Sequence, residues 1–163
     1  MSKQIIIVDK SDKIIGYRSS QGMNAKDIYR VSALWLTNSK GDILLARRAL
    51  NKKHHPYKWG PAVVGTLEKG EDYDSNIVKE AEEEIGLKDI KFNKGPKKFN
   101  LSDYIHYTQW YTAVVDKDSE DFIIEPKEVA GVRWFTKKEI EEKLINEPDF
   151  FIPNLQHYFK LFK

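Results

Sequence analysis

The stretch that decides the fold runs from Gly65 to Leu87 and reads GTLEKGEDYDSNIVKEAEEEIGL. From Asp74 to Ile85 its apolar residues recur at helical spacing, and Gly86 suits the end of a helix. At about 100° per residue, these apolar side chains fall within one arc of roughly 100°, which is the predicted buried face. The side chains in that arc are Ile77, Val78, Ala81 and Ile85. The stretch therefore predicts a loop followed by an amphipathic helix.

A second arc of the same helix concentrates negative charge. Glu80, Glu83 and Glu84 fall together within roughly 100°, while Glu82 points elsewhere. Carboxylates three and four residues apart repel each other, and Lys79 faces sideways, so it cannot neutralise all three. Hard divalent cations such as Mg²⁺ and Mn²⁺ are the natural counter-charge because they prefer carboxylate oxygens. A solvated acidic helix face is the alternative.

The spacing of the whole stretch resembles the Nudix box. That signature runs Gly, five residues, Glu, seven residues, Arg-Glu-apolar, one residue, Glu-Glu, one residue and Gly-apolar. This chain has Gly65, Glu71, Lys79-Glu80-Ala81, Glu83-Glu84 and Gly86-Leu87 at those places, with lysine where the family has arginine. The resemblance implies an α/β fold, a Nudix-type α/β/α sandwich with a mixed β-sheet. It also implies a single domain over residues 1–163, with the box at residues 65–87.

The resemblance also implies roles for the acidic residues of the box. Glu80, Glu83 and Glu84 are expected to ligate Mg²⁺ or Mn²⁺, together with the backbone carbonyl of Gly65. Glu80 is the expected general base, and Glu83 is a second catalytic candidate because family members differ in which glutamate acts. The reaction implied is hydrolysis of a diphosphate linkage in a nucleoside diphosphate derivative or related small molecule, with a metal-bound water as nucleophile. The alternative is a Nudix module that binds or senses nucleotides without turnover.

Two further box residues are expected to support the metal ligands. By resemblance, Glu71 braces the box loop against the helix. Lys79 stands where the family's arginine braces neighbouring carboxylates through a planar fork, and lysine offers only a point charge. A working but less rigid metal site is therefore expected.

The flanking segments extend the resemblance over nearly the whole chain. Ile43–Arg48 resembles the strand before the box, Tyr57–Gly60 its loop, and Glu128–Phe135 its late strand. The N-terminal hairpin and Phe150–Phe162 resemble the branch that includes isopentenyl-diphosphate isomerase. That isomerase uses a cysteine, whose corresponding place lies near Val64, and this chain has no cysteine. Proton transfer to an alkene needs an acid–base pair, so hydrolysis is expected and isomerisation is not.

Substrate-binding candidates lie before the box. Arg47 and Arg48 straddle a strand end, so alternation sends one side chain toward the site and the other away. A phosphate contact and a structural ion pair are equal alternatives for each arginine. Trp59 is a candidate for stacking on the substrate. Among the acidic residues between the last strands, Glu128 is the candidate for an extra metal ligand or base.

Three other clusters have structural interpretations. The adjacent His54-His55 pair is interpreted as part of a solvated loop, with contact of Lys52, Lys53 and His54 to substrate phosphates as the alternative. The basic cluster Lys94, Lys97 and Lys98 is interpreted as a solvated loop. Nucleobase stacking is one reading of the aromatic residues of the next segment, but aromatic residues in a central strand are more often core. These residues are Tyr104, Tyr107, Trp110 and Tyr111.

The remaining apolar runs predict strands around the box helix, and two helices end the chain. The predicted strands are Ile5–Asp9 with Ile14–Tyr17 as a hairpin, Val31–Thr37, Ile43–Arg47, Ala62–Val64, Tyr104–Val115 and Val129–Phe135. Thr136 to Glu139 has a capping-box pattern that opens one helix, and the other begins near Pro153.

Length and composition limit the class of protein and the kinds of partner that are expected. The 163 residues are 40% apolar and 32% charged, which is typical of a globular domain. The net charge of +2 gives no indication of a nucleic acid polymer as partner, and no apolar run is long enough for a signal or a membrane span. The absence of cysteine excludes disulfides and thiolate metal sites. A cytoplasmic protein acting on a small-molecule diphosphate is expected; its oligomeric state is open, with a homodimer the commonest oligomer.

Overall fold

Apolar runs separated by turns become strands in the computed structural model, which describes residues 2–163. The strands are β1 (Gln4–Val8), β2 (Ile14–Ser19), β3 (Ile28–Thr37), β4 (Ile43–Arg48), β5 (Trp59–Pro61), β6 (Val63–Thr66), β7 (Asn93–Leu101), β8 (Ile105–Val114) and β9 (Val129–Phe135). The helices are α1 (Tyr73–Ile85), α2 (Lys137–Asn146) and α3 (Leu155–Leu161). None of the helices within residues 2–163 is long and apolar enough to cross a membrane.

The strands form one mixed sheet centred on β3. One edge of β3 runs parallel to β8 over its whole length, and the other edge meets β1, β6 and β4 in succession, all antiparallel. β4 also pairs with β9 and β5, while β2 and β7 extend the sheet beyond β1 and β8. β3 and β4 pair with each other over only two residues each and then separate. In the gap between them, β6 pairs with β3 and β5 pairs with β4. This split places Gly65 of β6 opposite Ser32 of β3.

Helices cover both faces of the sheet. Alternation along β3 sends Leu34 and Leu36 into the core beneath α1, and Ala33 and Trp35 into the core beneath α2 and α3. From the helices, the first core receives Ile77, Ala81 and Ile85, and the second receives Ile140, Leu155 and Phe159. The α/β/α sandwich with a mixed sheet is therefore confirmed.

Local chemistry sets both ends of α1. The Asp72 side chain accepts a hydrogen bond from the Ser75 N–H at 2.7 Å, and the Ser75 hydroxyl accepts one from the Asp72 N–H at 3.0 Å. Gly86 ends the helix in the left-handed region at φ 66°, which glycine adopts without strain. The prediction of Val78 as a buried residue is wrong, since its exposed fraction is 53%. The buried arc turns instead toward Asn76, whose polar side chain has hydrogen-bond partners in the sheet and the box loop.

The later elements agree with the sequence except at β7. β9 has the predicted bounds, and Thr136 and Glu139 form the predicted capping box of α2. The interpretation of the cluster Lys94, Lys97 and Lys98 as a loop is wrong, because these residues belong to β7. β7 lies at an edge of the sheet, where lysine side chains reach water and protect the strand from further pairing.

Asp12 ties the β1–β2 turn to the rest of the fold. Its carboxylate accepts hydrogen bonds from Arg30 Nε at 2.7 Å, Lys97 Nζ at 2.7 Å and the Tyr73 hydroxyl at 3.1 Å. Burial alone would raise the pKa of Asp12, but the Lys97 and Arg30 bonds hold it below its ordinary value. The ionised carboxylate is therefore part of the folded structure.

The variant Asp12→Asn is expected to lower the free energy of unfolding by roughly 2 kcal/mol at about pH 7, because two cations lose their partner. The pKa of Asp12 is lower in the folded state than in the unfolded state. The stabilisation by Asp12 is therefore fully present at pH values above the unfolded-state pKa, and it is lost as the pH falls through the folded-state pKa. Urea unfolding should show a gap between the two proteins at about pH 7 that narrows at about pH 3. The exposed Asp103→Asn is the control, and a gap that does not depend on pH would contradict the assignment.

Candidate active site

The centre of the site is a close approach between β6 and α1. A Cβ atom placed on Gly65 would lie 2.8 Å from Glu80 Cδ, closer still to Glu80 Cγ, and 2.9 Å from Asn76 Oδ1. Cβ atoms in folded proteins essentially never approach other heavy atoms this closely. Glycine is therefore required here for space, since it lets the Glu80 side chain lie against the strand backbone.

Glu80 and Glu84 form a buried acidic pair one helical turn apart. Each residue has an exposed fraction of only 9%, and the two carboxyl groups lie close enough to shift each other's pKa. Burial is the main reason why the pKa of each carboxyl group is raised, and repulsion from Glu80 and Glu128 raises that of Glu84 further. Two buried carboxylates are unfavourable without a proton or a cation between them.

The loop before β9 brings another carboxylate to this pair. The Glu125 N–H donates to the Glu84 carbonyl at 2.9 Å, and the Ala49 N–H donates to the Glu128 carbonyl at 3.0 Å. The loop is thus fixed to the end of α1 and to the end of β4. The Glu128 side chain lies close enough to Glu84 to raise its pKa, and Lys52 forms an ion pair with Glu128. Glu128 and Lys52 therefore border the acidic pair.

The donor set suits a hard divalent cation. Glu83 lies on the exposed side of α1, next to Glu80, whose pKa it raises by repulsion. Within residues 2–163 no three acidic or histidine side chains already converge on one point as a ready ligand set. The pair Glu80 and Glu84, with Glu83 and Glu128 beside it, nevertheless offers the carboxylate oxygens that Mg²⁺ and Mn²⁺ prefer. The residues present therefore fit such an ion.

Lys79 and Glu71 connect the box loop to the helix. Lys79 forms an ion pair with Glu71, and its Nζ lies 3.6 Å from a Glu80 oxygen and 3.7 Å from a Glu68 oxygen. Glu71 accepts hydrogen bonds from the Glu68 N–H at 2.8 Å and the Asn76 amide at 2.9 Å. Burial would lower the pKa of Lys79, but the contact with Glu71 and the other carboxylates raises it above its ordinary value. These bonds hold the loop in a fixed position beside Glu80.

Asn76 belongs to this network but is absent from the sequence prediction. Asn76 is completely buried, accepts a hydrogen bond from the Ser32 hydroxyl and donates one to the Thr66 carbonyl at 3.3 Å. It thereby links α1 to β3 and β6. An amide residue one helical turn before Glu80, on the same arc as the acidic residues, is the signal in the sequence that could have identified Asn76.

The variant Lys79→Met is expected to lower the free energy of unfolding by roughly 1–2 kcal/mol, because Glu68, Glu71 and Glu80 lose their shared cation. Urea unfolding measures this loss. The matched variant Lys79→Arg keeps the charge and offers a planar fork, so it should preserve or improve metal affinity and hydrolysis. A several-fold decrease of either in Lys79→Arg would contradict the account of Lys79 as a brace.

Alternation along β4 separates the two arginines. Arg48 lies on the carboxylate side, where Glu128 partly offsets the burial that lowers the pKa of the arginine. Its Nε donates to the His54 carbonyl at 2.8 Å. Arg47 lies on the other face, with its guanidinium carbon 3.5 Å from the centroid of the Tyr57 ring. Arg48 is therefore the nearer of the two to the acidic pair.

Most of the aromatic candidates are core residues. Trp59 is buried and packs edge-to-face on Phe135, with ring centroids 5.3 Å apart. Trp110 and Tyr111 are also buried, which confirms their interpretation as core. Tyr104 differs, because 44% of it is exposed.

The site is an acidic loop and helix packed on an α/β/α sandwich. Comparisons of the chain with known proteins agree with this description. The NUDIX domain model matches residues 27–155, so the chain belongs to the Nudix family. An uncharacterized Nudix hydrolase of Yersinia pestis is 27% identical over 135 residues, which cover 82% of this chain and 73% of that protein. An isopentenyl-diphosphate Delta-isomerase of Aliivibrio fischeri is 24% identical, covering 93% of this chain and 90% of that protein. A crystal structure from Deinococcus radiodurans has the same fold, with a TM-score of 0.84, 19% identity, and coverage of 99% of this chain and 100% of that one.

Proposed function

We propose that this protein is a metal-dependent hydrolase that cleaves a diphosphate linkage in a nucleoside diphosphate derivative or related small molecule. The observation that carries the proposal is the buried pair Glu80 and Glu84 against Gly65, within a chain of the Nudix family. When bound, Mg²⁺ or Mn²⁺ supplies charge neutralisation at phosphate oxygens and lowers the pKa of a bound water.

The ligands would come from one side of α1 and its neighbours. Glu80 and Glu84 would hold the ion with the Gly65 carbonyl, and Glu83 or Glu128 would complete the set. Glu80 is the proposed general base, and Glu83 is the second candidate. The position of Glu80 supports this choice, because its side chain lies against Gly65, at the close approach between β6 and α1.

The remaining residues position the substrate and the ligands. Arg48 and Lys52 lie beside Glu84 and Glu128, so they are proposed to contact diphosphate oxygens through charge-assisted hydrogen bonds. For Arg47 and Trp59 we propose a structural rather than a substrate-binding role, because Arg47 stacks on Tyr57 and Trp59 lies in the core. Glu71 and Lys79 are the proposed support of Glu80.

A screen for hydrolysis with and without Mg²⁺ tests the proposal. The panel contains nucleoside triphosphates, dinucleoside polyphosphates, nucleotide sugars and prenyl diphosphates, with a chelator as the metal-free condition. At least one compound should release a phosphate-containing product only when Mg²⁺ is present. Nucleotide binding seen by calorimetry without product from any compound would contradict the hydrolase and favour the sensing module.

A further inference from the structure

Asn76 is a buried amide to which the proposed reaction assigns no role, and its surroundings fix the direction in which it faces. Its Nδ2 lies 3.3 Å from the Thr66 carbonyl and 2.9 Å from Glu71 Oε2. A carbonyl and an ionised carboxylate only accept hydrogen bonds, so the amide nitrogen must face them. The amide oxygen is then left to accept the proton of the Ser32 hydroxyl. One buried side chain therefore joins β3, β6 and the box loop to α1.

Asn76 shares the close approach between β6 and α1 with Glu80. A Cβ atom on Gly65 would lie 2.9 Å from Asn76 Oδ1, just as it would meet the Glu80 side chain. A buried amide is costly unless its donors and acceptors are paired, and here each polar atom of the Asn76 side chain has a partner. The amide is therefore held in one orientation beside the proposed metal ligand.

The Glu71 carboxylate is held at both of its oxygens. Oε2 accepts hydrogen bonds from Asn76 Nδ2 at 2.9 Å and from the Glu68 N–H at 2.8 Å, and Oε1 forms the ion pair with Lys79. Burial alone would raise the pKa of Glu71, but the bonds from Glu68, Lys79 and Asn76 hold it below its ordinary value. Glu71 is thus ionised and fixed in direction.

Lys79 depends on this fixed partner. A lysine ammonium is a point charge on a flexible stem, so its position is set by the acceptors around it. Because Asn76 and a backbone N–H occupy Oε2 of Glu71, Oε1 is the oxygen turned to Lys79, whose Nζ also lies 3.6 Å from a Glu80 oxygen. A continuous series of contacts therefore runs from Ser32 at the centre of the sheet to Glu80.

We propose that Asn76 is a positioning residue for the acidic pair. Its amide orients Glu71, and through Glu71 and Lys79 it holds Glu80 in the geometry that binds a divalent cation. Ser32 anchors the amide from β3. This inference rests on the proposed function and adds two residues that contact neither the ion nor the substrate.

Titration of Mn²⁺ into the substrate-free protein, followed by calorimetry, tests the inference without turnover. Asn76→Ala should weaken Mn²⁺ binding by about tenfold, because residues that support metal ligands have effects of that size. Asn76→Asp keeps the shape but sets an acceptor against Glu71 and the Thr66 carbonyl, so it should weaken binding at least as much. Ser32→Ala should have a smaller effect in the same direction, since the amide keeps its other bonds.

A second substitution separates positioning from a loss of packing. Lys79→Arg in the Asn76→Ala protein supplies a planar guanidinium that can bond Glu71 and Glu80 at the same time. It should restore most of the Mn²⁺ affinity. A vacancy in the core at residue 76 would remain in this double variant, so a purely structural role of Asn76 predicts no such recovery.

Asn38→Ala is the matched control, because Asn38 is also a hydrogen-bonded asparagine but serves the β3–β4 turn. Its Oδ1 accepts bonds from the Asp42 N–H at 2.9 Å and the Lys40 N–H at 3.0 Å. Asn38→Ala should lower the thermal midpoint and leave Mn²⁺ affinity at the native value. All titrations are made below the thermal midpoint of each protein in chelator, and Ser32→Ala takes the place of Asn76→Ala if the latter does not fold.

The inference is overturned if Asn76→Ala binds Mn²⁺ as tightly as Asn38→Ala, or if Lys79→Arg restores nothing. Should Ser32→Ala stand in, native affinity in that variant has the same meaning. In each of these cases a native protein that binds Mn²⁺ and hydrolyses a diphosphate would keep the proposed function. A native protein without Mn²⁺ binding would contradict the proposed function and this inference together.

Discussion

Replacing Glu84 by glutamine is expected to reduce diphosphate hydrolysis by roughly a hundredfold to a thousandfold at saturating Mg²⁺. Glutamine has nearly the same shape but cannot supply the negative charge that holds a divalent cation. Without metal, the same change removes the repulsion among Glu80, Glu84 and Glu128, so the thermal midpoint in chelator should be unchanged or higher. Loss of activity together with retained stability would identify a functional role of Glu84 rather than a structural one.

Glu82→Gln is the matched control for this experiment. Glu82 lies on the same helix and is exposed, away from the acidic pair. Its replacement removes one carboxylate with the same change of net charge, and both hydrolysis and stability should stay near the native values. Unchanged turnover in Glu84→Gln would show that the acidic pair is not the metal site.

Adding one methyl group to the box, in Gly65→Ala, is expected to have the second large effect. The new Cβ would lie 2.8 Å from Glu80 Cδ and 2.9 Å from Asn76 Oδ1, so Glu80 must move away from the strand. We expect a loss of roughly 1–3 kcal/mol in the free energy of unfolding from the overpacking. Hydrolysis should fall by roughly a hundredfold, because a displacement of about 1 Å at a catalytic group has effects of that size.

Gly16→Ala on β2 provides the comparison, since a Cβ there meets no atom within 4 Å. Its effect on unfolding should stay within about 0.5 kcal/mol, as for most surface substitutions. Urea unfolding and the rate of hydrolysis are measured for both variants. Equal behaviour of the two alanine variants would contradict the close packing of Gly65 on Glu80.

The sequence predicts the box helix well because its signals are local. The period of the apolar residues and the helix-ending Gly86 both act within a few residues, and α1 has nearly the predicted bounds. The same periodicity places Glu80 and Glu84 on one face. The prediction that Val78 is buried is wrong, because the helical period of apolar residues cannot show that Asn76 lies on the buried face instead. Asn76 is buried through its hydrogen bonds rather than through apolar packing.

The sequence does not reveal which of these candidate residues meet, because the contacts join distant segments of the chain. Lys52 and Glu128 are 76 residues apart in the chain, and only the pairing of β4 with β9 brings them together beside Glu84. The contact of His54 with Tyr104 spans 50 residues. The sequence does not predict β7 as a strand, because an edge strand rich in lysine lacks the alternation of apolar residues that identifies a strand.

The central claim is that the buried pair Glu80 and Glu84 is a divalent-cation site. Calorimetric titration of Mn²⁺ or Mg²⁺ into the substrate-free protein tests it most directly, with Glu84→Gln and Glu82→Gln measured alongside. We predict saturable binding to the native protein and to Glu82→Gln, at least about tenfold weaker binding to Glu84→Gln, and a metal-dependent rise of the thermal midpoint that follows the measured affinity. Equal binding to native protein and Glu84→Gln, or no binding to either, would contradict the claim.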